Sequence, residues 1–305
     1  MRQRNGFTIA EVLLSMTVGL TIIVAATAFA TSSWKTRRGW TVRESIDRNA
    51  RFVGLSLARD MQEAGVAIDD IALFGTLATF NDTISALSVP YTPNEAPVYT
   101  IYNDGGASPT YPAGGNCGST CIEFLTQGST LGLSAGDLTR LQVGSSRRLL
   151  LLSSVANQGN GRFRVEFLNV KTLIGRPSGL DSLLLTRSGS TIQKLNAVVY
   201  WRDASTNSLM RATTVDAGGK PQGQLMANNV LGFKTTLLFT SGQEFAAYNG
   251  ADTDTLNDAN DILGTRIRAQ FQSDRTDPGV NGGLPVVRWY EWKVSPRNLL
   301  YEKNR

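Results

Sequence analysis

The sequence predicts an α+β protein in which one long N-terminal helix packs against an antiparallel β-sheet domain. The first observation is an apolar run over residues 7–30, and the second is a repeat of apolar positions that extends it over residues 31–65. The third is the chain from 66 to 305, where short apolar stretches alternate with turn residues. With 305 residues, 41% of them hydrophobic, the chain can bury a substantial core.

The apolar run is long enough to cross a membrane as a helix. Residues 7–30 rise about 36 Å, compared with a hydrocarbon core of about 30 Å. The upstream residues 1–6 are short and positively charged, which is typical of an N-terminus held in the cytoplasm. A secretory signal peptide is the alternative, and small residues near Ala30 offer it a cleavage site. The charged Glu11 within the run, and the helical pattern beyond it, favour an anchor that is kept.

The second half of the helix is amphipathic. Oppositely charged residues stand four positions apart on its polar face, among them Arg59 and Glu63. Gly65 is placed to end the helix, and Gly39 and Gly54 predict bending or local loosening. We therefore expect one helix from Phe7 to Ala64 whose apolar face packs on the sheet. That face consists of Val42, Ile46, Ala50, Val53, Leu57, Met61 and Ala64.

The region 66–305 is predicted to be β-rich. In one candidate strand Ile267, Ala269 and Phe271 alternate with polar residues, the pattern of a sheet with one solvated face. Residues 205–208 are predicted to form the turn of a hairpin. The candidate strands are 121–127, 148–155, 162–170, 182–188, 197–203, 208–215, 231–239, 266–274 and 287–295.

Composition argues against an enzyme and predicts no cofactor. Histidine is absent, which removes His-based triads and His metal ligands, and no phosphate-binding loop or metal motif is visible. Two cysteines, Cys117 and Cys121, lie in a polar stretch where a local disulfide is the simplest interpretation. A redox or metal role for these thiols is the alternative.

Two further clusters have competing interpretations. Asp252, Asp254, Asp258 and Asp261 are dense enough to bind calcium, but the spacing departs from the EF-hand pattern and a solvated loop is preferred.

The net charge of +5 is too small to imply nucleic acid. Nucleic-acid binding nevertheless stays open, because arginines could line one face, or could simply alternate on the solvent side of strands. These arginines are at positions 147, 148, 162, 164, 266 and 268.

The N-terminal residues carry a family resemblance. A short basic leader ending in Gly6, then "FTIAE" and an unbroken apolar helix, resembles the prepilin signature of the type IV pilin superfamily. The resemblance implies that a prepilin peptidase cleaves between Gly6 and Phe7 and methylates the new amine of Phe7. The helix 7–30 would then remain as an inner-membrane anchor, with the C-terminal domain in the periplasm, and later enter the core of an extracellular filament.

Three later stretches narrow the resemblance. "LARDMQEAG", "VVYWRDASTNSLMRAT" and "SPRNLLYE" are similar to parts of PilW-type minor pilins and, less closely, of J-type pseudopilins of type II secretion. The first family implies other minor pilins, the major pilin and an inner-membrane assembly platform as partners. It also implies a role in priming or capping pilus assembly, with effects on adhesion, motility or DNA uptake. An anchored periplasmic binding protein unrelated to filaments is a further alternative.

Glu11 raises a physical question, because a carboxylate in the hydrocarbon region costs about 2.5 to 3.5 kcal/mol. The cationic amine of Phe7 is a candidate partner, either in the same helix or on an adjacent subunit, where the pair would fix the axial register. The alternative is that Glu11 extends to the lipid headgroups and does nothing further. By the resemblance, a subunit that keeps Glu11 should lie beneath another subunit.

Overall fold

The computed structural model describes residues 8–68, 75–90, 98–100, 111–112, 120–126, 131–144, 146–179, 185–186, 190–248 and 257–297. Within them the fold is α+β, with helix α1 (Ile9–Gln62) followed by antiparallel strands. The strands are β1 (Leu77–Phe80), β2 (Thr83–Ser88), β3 (Tyr99–Thr100), β4 (Tyr111–Pro112), β5 (Cys121–Leu125), β6 (Leu138–Val143), β7 (Ser146–Gly159), β8 (Arg162–Phe167), β9 (Thr172–Leu173), β10 (Arg176–Pro177), β11 (Leu185–Thr186), β12 (Thr191–Asp203), β13 (Ser208–Val215), β14 (Pro221–Ala227), β15 (Val230–Phe239), β16 (Glu244–Phe245), β17 (Ile262–Gln272) and β18 (Val287–Val294).

The strands form one large and one smaller sheet. The large sheet has the order β1-β2-β12-β6-β7-β8-β5, with β13 and β3 also paired to β12 and with β14 paired to β13. The smaller sheet has the order β16-β15-β17-β18. Two-stranded pairs join β9 to β10 and β4 to β11. The long strand β12 is therefore the hub of the large sheet.

The described chain divides into two compact units. One unit contains α1 up to Asn49 together with Gln272–Arg288. The second contains Ala50–Phe271 together with the described residues from Trp289 onward. The second unit holds nearly all of the strands and the last turns of α1, so it forms the globular core.

The predicted apolar face of the second half-helix is confirmed. All seven of its residues are buried, with exposures from 0% at Leu57 to 4% at Val42. Arg59 and Glu63 form the expected ion pair at 3.7 Å. Gly65 adopts the left-handed conformation that ends many helices, with φ of 81°. Its N–H donates to the carbonyl of Leu87 on β2 (2.8 Å), so the chain leaves the helix tied directly to the sheet.

The nine predicted strands all overlap observed strands, and the hairpin is confirmed by the pairing of Asp203 with Ser208. The alternation in β17 is also confirmed, since Ile267, Ala269 and Phe271 are at most 1% exposed. Sequence patterns missed β1, β2, β6 and β14, and the two-residue strands other than β11. In β2 the reason is its polar content, because a strand with one threonine and two serines among six residues shows no apolar alternation.

The leucine run in β7 shows how the large sheet is covered on both faces. Leu149 and Leu151 belong to one hydrophobic cluster, whereas Leu150 and Leu152 belong to another. Because neighbouring side chains of a strand point to opposite faces, the two clusters lie on opposite sides of β7. A continuous apolar run is what a strand buried on both faces requires.

A buried arginine satisfies polar groups in the loops next to β2. Arg176 on β10 is fully buried and donates to the carbonyls of Gly75 (2.8 Å) and Thr76 (2.8 Å) and to the hydroxyl of Ser85 (2.6 Å). Burial lowers the pKa of its guanidinium to about 10, and nearby Tyr248 opposes this shift. The cation thus pairs with backbone and hydroxyl oxygens that would otherwise lack donors.

A carboxylate joins the end of α1 to the large sheet. Asp60 is 8% exposed, and its carboxylate accepts bonds from the Tyr200 hydroxyl (2.5 Å) and from Arg211 Nε (2.7 Å) and Nη2 (3.1 Å). Tyr200 and Arg211 are direct neighbours across β12 and β13, so their side chains lie on the same face. Burial and the bond to Asp60 raise the pKa of Tyr200, and the Asp60 bond raises that of Arg211. Both groups therefore keep their donor protons.

The sequence predicts bending or loosening of α1 at Gly39 and Gly54. At Gly54 the structure gives a different reason for the glycine, which is close packing. The helix is continuous from Ile9 to Gln62, and the indole of Trp292 packs against Gly54 so closely that a Cβ there would lie 2.8 Å from Cε2. Gly39 differs, because a Cβ at that position would approach nothing closer than 3.9 Å. Gly54 is therefore explained by packing.

These two glycines give a matched test. Gly54→Ala should lower the unfolding free energy by about 1 to 3 kcal/mol, because the gain in helix propensity is smaller than the cost of overpacking against Trp292. Gly39→Ala should instead stabilise by about 0.5 to 1 kcal/mol. Thermal melts followed by circular dichroism on detergent-solubilised protein should place the two variants on opposite sides of the parent. Equal shifts in the same direction would contradict the packing argument.

The Asp60 cluster gives a second test. Asp60→Asn should destabilise by about 3 kcal/mol, because it leaves the partly buried Arg211 without its carboxylate. Tyr200→Phe should cost about 1.5 kcal/mol, since it removes one bond to a charged acceptor. In a double-mutant cycle, Asp60→Asn combined with Arg211→Gln should cost clearly less than the sum of the single changes. Strict additivity, measured by denaturant unfolding, would show that the pair is not coupled.

Candidate functional site: an exposed apolar half-helix

The first half of α1 is apolar and exposed. Within the described residues this is the one helix long and apolar enough to cross a membrane, and the qualifying stretch has a mean hydropathy of 2.2 with none of it buried. Ile9 is 82% exposed, Leu14 68% and Phe29 75%. A signal sequence near an N-terminus would pass the same test. An apolar surface this large needs a cover of lipid or protein.

Hydroxyl groups in the apolar half are satisfied within the helix. Each of the five Ser and Thr side chains from Ile9 to Thr31 donates to a backbone carbonyl three or four residues earlier, at 2.8 to 3.0 Å. In a medium without water, polar groups must find their partners internally. The hydroxyls therefore do not oppose transfer of this segment into hydrocarbon. The five residues are Ser15, Thr17, Thr21, Thr27 and Thr31.

Glu11 forms a capping box at the start of α1. Its Oε2 atom accepts bonds from the N–H and the hydroxyl of Thr8, both at 3.0 Å, and the Glu11 N–H approaches the Thr8 hydroxyl at 3.4 Å. This is the reciprocal pattern of a Thr-x-x-Glu capping box. The local sequence "TIAE" carries the signal for this box, which the pattern of apolar residues does not reveal. Glu11 thus stabilises the helix end as well as placing a negative charge there.

Several predicted site residues lie outside the described residues. Gly6 and Phe7 are among them, so cleavage, methylation and the pairing of the Phe7 amine with Glu11 stay predictions. Cys121 is buried at the start of β5 and is disulfide-bonded. Cys117 lies outside the described residues, so its pairing with Cys121 also stays a prediction.

The arginines considered for nucleic acid are partly neutralised within the protein. Arg266 pairs with Glu244 at 2.7 Å and with Glu291 at 3.4 Å, and Arg268 pairs with Glu291 at 2.9 Å. Arg164 pairs with Glu166 at 3.3 Å. Such neighbours reduce the positive field around Arg164, Arg266 and Arg268. Nucleic-acid binding stays a prediction.

The acidic stretch is only partly described. Asp252 and Asp254 lie outside the described residues. Asp258 precedes a short 3₁₀ turn (Ala259–Asp261) before β17, and Asp261 is the last residue of that turn. Among the residues that the structure describes, no group of three His, Cys, Asp or Glu side chains could hold a metal ion. Calcium binding by the acidic stretch stays untested, and the solvated loop remains the preferred prediction.

Comparison with protein-family models, with curated proteins and with solved structures finds no match for this chain. The architecture itself is consistent with a pilin-like fold, because a long N-terminal apolar helix precedes antiparallel sheets. Any more specific assignment depends on the leader residues and on the chemistry of α1.

Proposed function

We propose that the chain is a minor pilin of a type IV pilus, anchored in the inner membrane by residues 7–30 and later built into the filament. The observation that carries the proposal is a single helix with two environments. Its first half is apolar and exposed, whereas the apolar face of its second half is buried. The proposal also uses the leader pattern of Gly6, Phe7 and Glu11.

The continuity of α1 supports an anchor that is kept. A conventional signal peptide would be removed near Ala30, which lies in the interior of a helix that runs without interruption from Ile9 to Gln62. The same helix contributes Val53 and Leu57 to the core of the second unit. Cleavage before Phe7 would leave this helix whole.

The disulfide supports a non-cytoplasmic location for the domain. Disulfides persist in oxidising compartments such as the bacterial periplasm and are rare in the cytosol. Because Cys121 on β5 is disulfide-bonded, the sheet is expected on the periplasmic side. The positively charged leader then stays in the cytoplasm, where a prepilin peptidase acts.

Glu11 has an unmet electrostatic requirement in this setting. Thr8 supplies two hydrogen bonds but no positive charge. In hydrocarbon the carboxylate still lacks a counter-ion, and the methylated amine of Phe7 on a neighbouring subunit would supply one. The partners in this role are other minor pilins, the major pilin, the prepilin peptidase and the inner-membrane assembly platform.

Processing is the most direct test. The mature protein, isolated from membranes and analysed by mass spectrometry of its N-terminal peptide, should begin with N-methylated Phe7. A mature chain beginning near Thr31 would overturn the proposal in favour of secretion through a conventional signal peptide.

Deletion of the gene should reduce piliation. Loss of exoprotein secretion with normal pili would instead indicate a type II secretion pseudopilin.

Two substitutions separate the two roles of Glu11. Glu11→Gln keeps the capping box, because glutamine also bonds to the N-cap residue, but it removes the charge. Glu11→Ala removes both. If assembly needs the charge, both variants should insert into the membrane normally and both should be absent from sheared pili in an immunoblot. Incorporation of Glu11→Gln at the parental level would show that the cap alone matters and would refute the charge-pair role.

A further inference from the structure

The first unit contains a cavity next to the end of the apolar segment. It measures about 420 Å³ and lies between α1 and the segment that joins β17 to β18. Three arginines and one aspartate are the charged residues of its lining, and Trp34 adds an aromatic wall. Its volume falls within the range of small-molecule sites. The lining residues are Trp34, Arg37, Arg38, Thr41, Val42, Arg275, Thr276 and Asp277.

The cavity carries excess positive charge. Arg38 Nε lies 3.9 Å from Asp277 Oδ2, so one of the three cations has an acidic neighbour. Within the described residues, Arg37 and Arg275 have no carboxylate partner. Asp277 is itself engaged, because its Oδ1 accepts the Gly279 N–H at 2.8 Å. The lining therefore offers two guanidinium groups to an anion, and guanidinium forks match phosphate geometry.

The position along the helix favours a lipid. Arg37 follows Ala30 by about 10 Å along the helix axis, just beyond the hydrocarbon boundary. Helix side chains lean toward the N-terminus, so the long Arg37 and Arg38 side chains point back toward the membrane. Trp34 and Trp40 are 67% and 72% exposed, as expected of residues at headgroup depth.

The charge distribution around the span needs an explanation of its own. Positive residues normally concentrate on the cytoplasmic side of a membrane segment. Here the leader carries Arg2 and Arg4, whereas the stretch after the span has twice as many cations. Cations on the side where topology disfavours them are explained if a ligand there requires them. The cations after the span are Lys35, Arg37, Arg38 and Arg43.

We infer that this cavity binds the phosphate headgroup of an anionic phospholipid in the periplasmic leaflet of the inner membrane. Arg37 and Arg275 contact the phosphate, and Trp34 packs against the glycerol and upper acyl region. The inference uses the membrane orientation of the proposed function, but it requires neither leader cleavage nor filament assembly.

The test compares a cavity variant with a matched control. Arg37→Gln combined with Arg275→Gln removes two charges from the cavity. Arg48→Gln combined with Arg51→Gln removes two exposed charges from the same helix, about 16 to 21 Å beyond Arg37 and outside the Debye length of about 8 Å. Full-length protein in detergent is titrated with phosphatidylglycerol or phosphatidylcholine, and bound lipid is measured by native mass spectrometry.

The cavity variant should bind phosphatidylglycerol about 25-fold more weakly than the parent, at about fivefold per arginine. The control variant should bind as the parent does, phosphatidylcholine binding should be weak throughout, and the melting temperatures should be equal. Equal loss in both variants would overturn the inference, because it would show a general charge effect. Displacement of the lipid by millimolar inorganic phosphate would also overturn it, in favour of a free-anion site.

A protein occupant is the remaining rival. If the cavity variant binds phosphatidylglycerol normally but is excluded from pili, the cavity accepts an acidic segment of a neighbouring subunit and the lipid inference is wrong. Lipid binding is measured on unassembled protein, so it can fail while Phe7 processing and the Glu11 dependence hold. Conversely, lipid binding can hold while Phe7 processing or the Glu11 dependence fails. The two proposals can therefore be tested separately.

Discussion

The structure depends on how one helix satisfies its charged groups in two different environments. In the second half of α1, Asp60 is buried and is matched within the chain by a hydroxyl and a guanidinium, from Tyr200 and Arg211. In the first half, Glu11 receives hydrogen bonds from Thr8 but no cation from the described residues. A buried acid with its own cation holds a fold together, whereas an acid without one in hydrocarbon favours any partner that brings a cation. The second half of α1, with Asp60, therefore stabilises the fold, whereas the first half, with Glu11, is the part proposed to act in filament assembly.

Buried polar groups of the large sheet also depend on partners within the chain. β2 is largely buried although it contains one threonine and two serines, and Arg176 next to it donates to carbonyls and to the Ser85 hydroxyl. β7 needs no such help, because its four leucines supply apolar atoms to both faces. The buried Ser85 hydroxyl of β2 thus has a specific partner in Arg176.

The spacing of apolar residues in the sequence predicted which side chains of a single helix or strand are buried. The buried face of α1 and the alternation in β17 follow from side-chain geometry within a single element, and both are observed. The partners of Asp60 lie 140 and 151 residues away in the sequence, so no window of sequence could have identified them. The contact of Gly54 with Trp292 is equally remote, so the helix pattern alone marks this glycine as a weak point. The Thr8 to Glu11 capping box is local, and its Thr-x-x-Glu spacing can be recognised in the sequence.

The ends of the apolar segment have opposite chemistry, and this fixes its depth in a bilayer. An acid stands at one end, and cations with two exposed tryptophans stand at the other. In the proposed orientation, a shift toward the periplasm would carry Glu11 deeper into hydrocarbon. A shift of about two turns, roughly 11 Å, toward the cytoplasm would draw Arg37 into it, at a cost of about 2.5 to 3.5 kcal/mol. Such a helix is stable against sliding as long as it remains in lipid. If the helix enters a filament as proposed, protein partners would have to replace the lipid contacts at both ends together. A neighbouring ammonium at Glu11 would meet only half of this requirement, and the cationic end would have to exchange the proposed headgroup for an acidic protein surface in the same step.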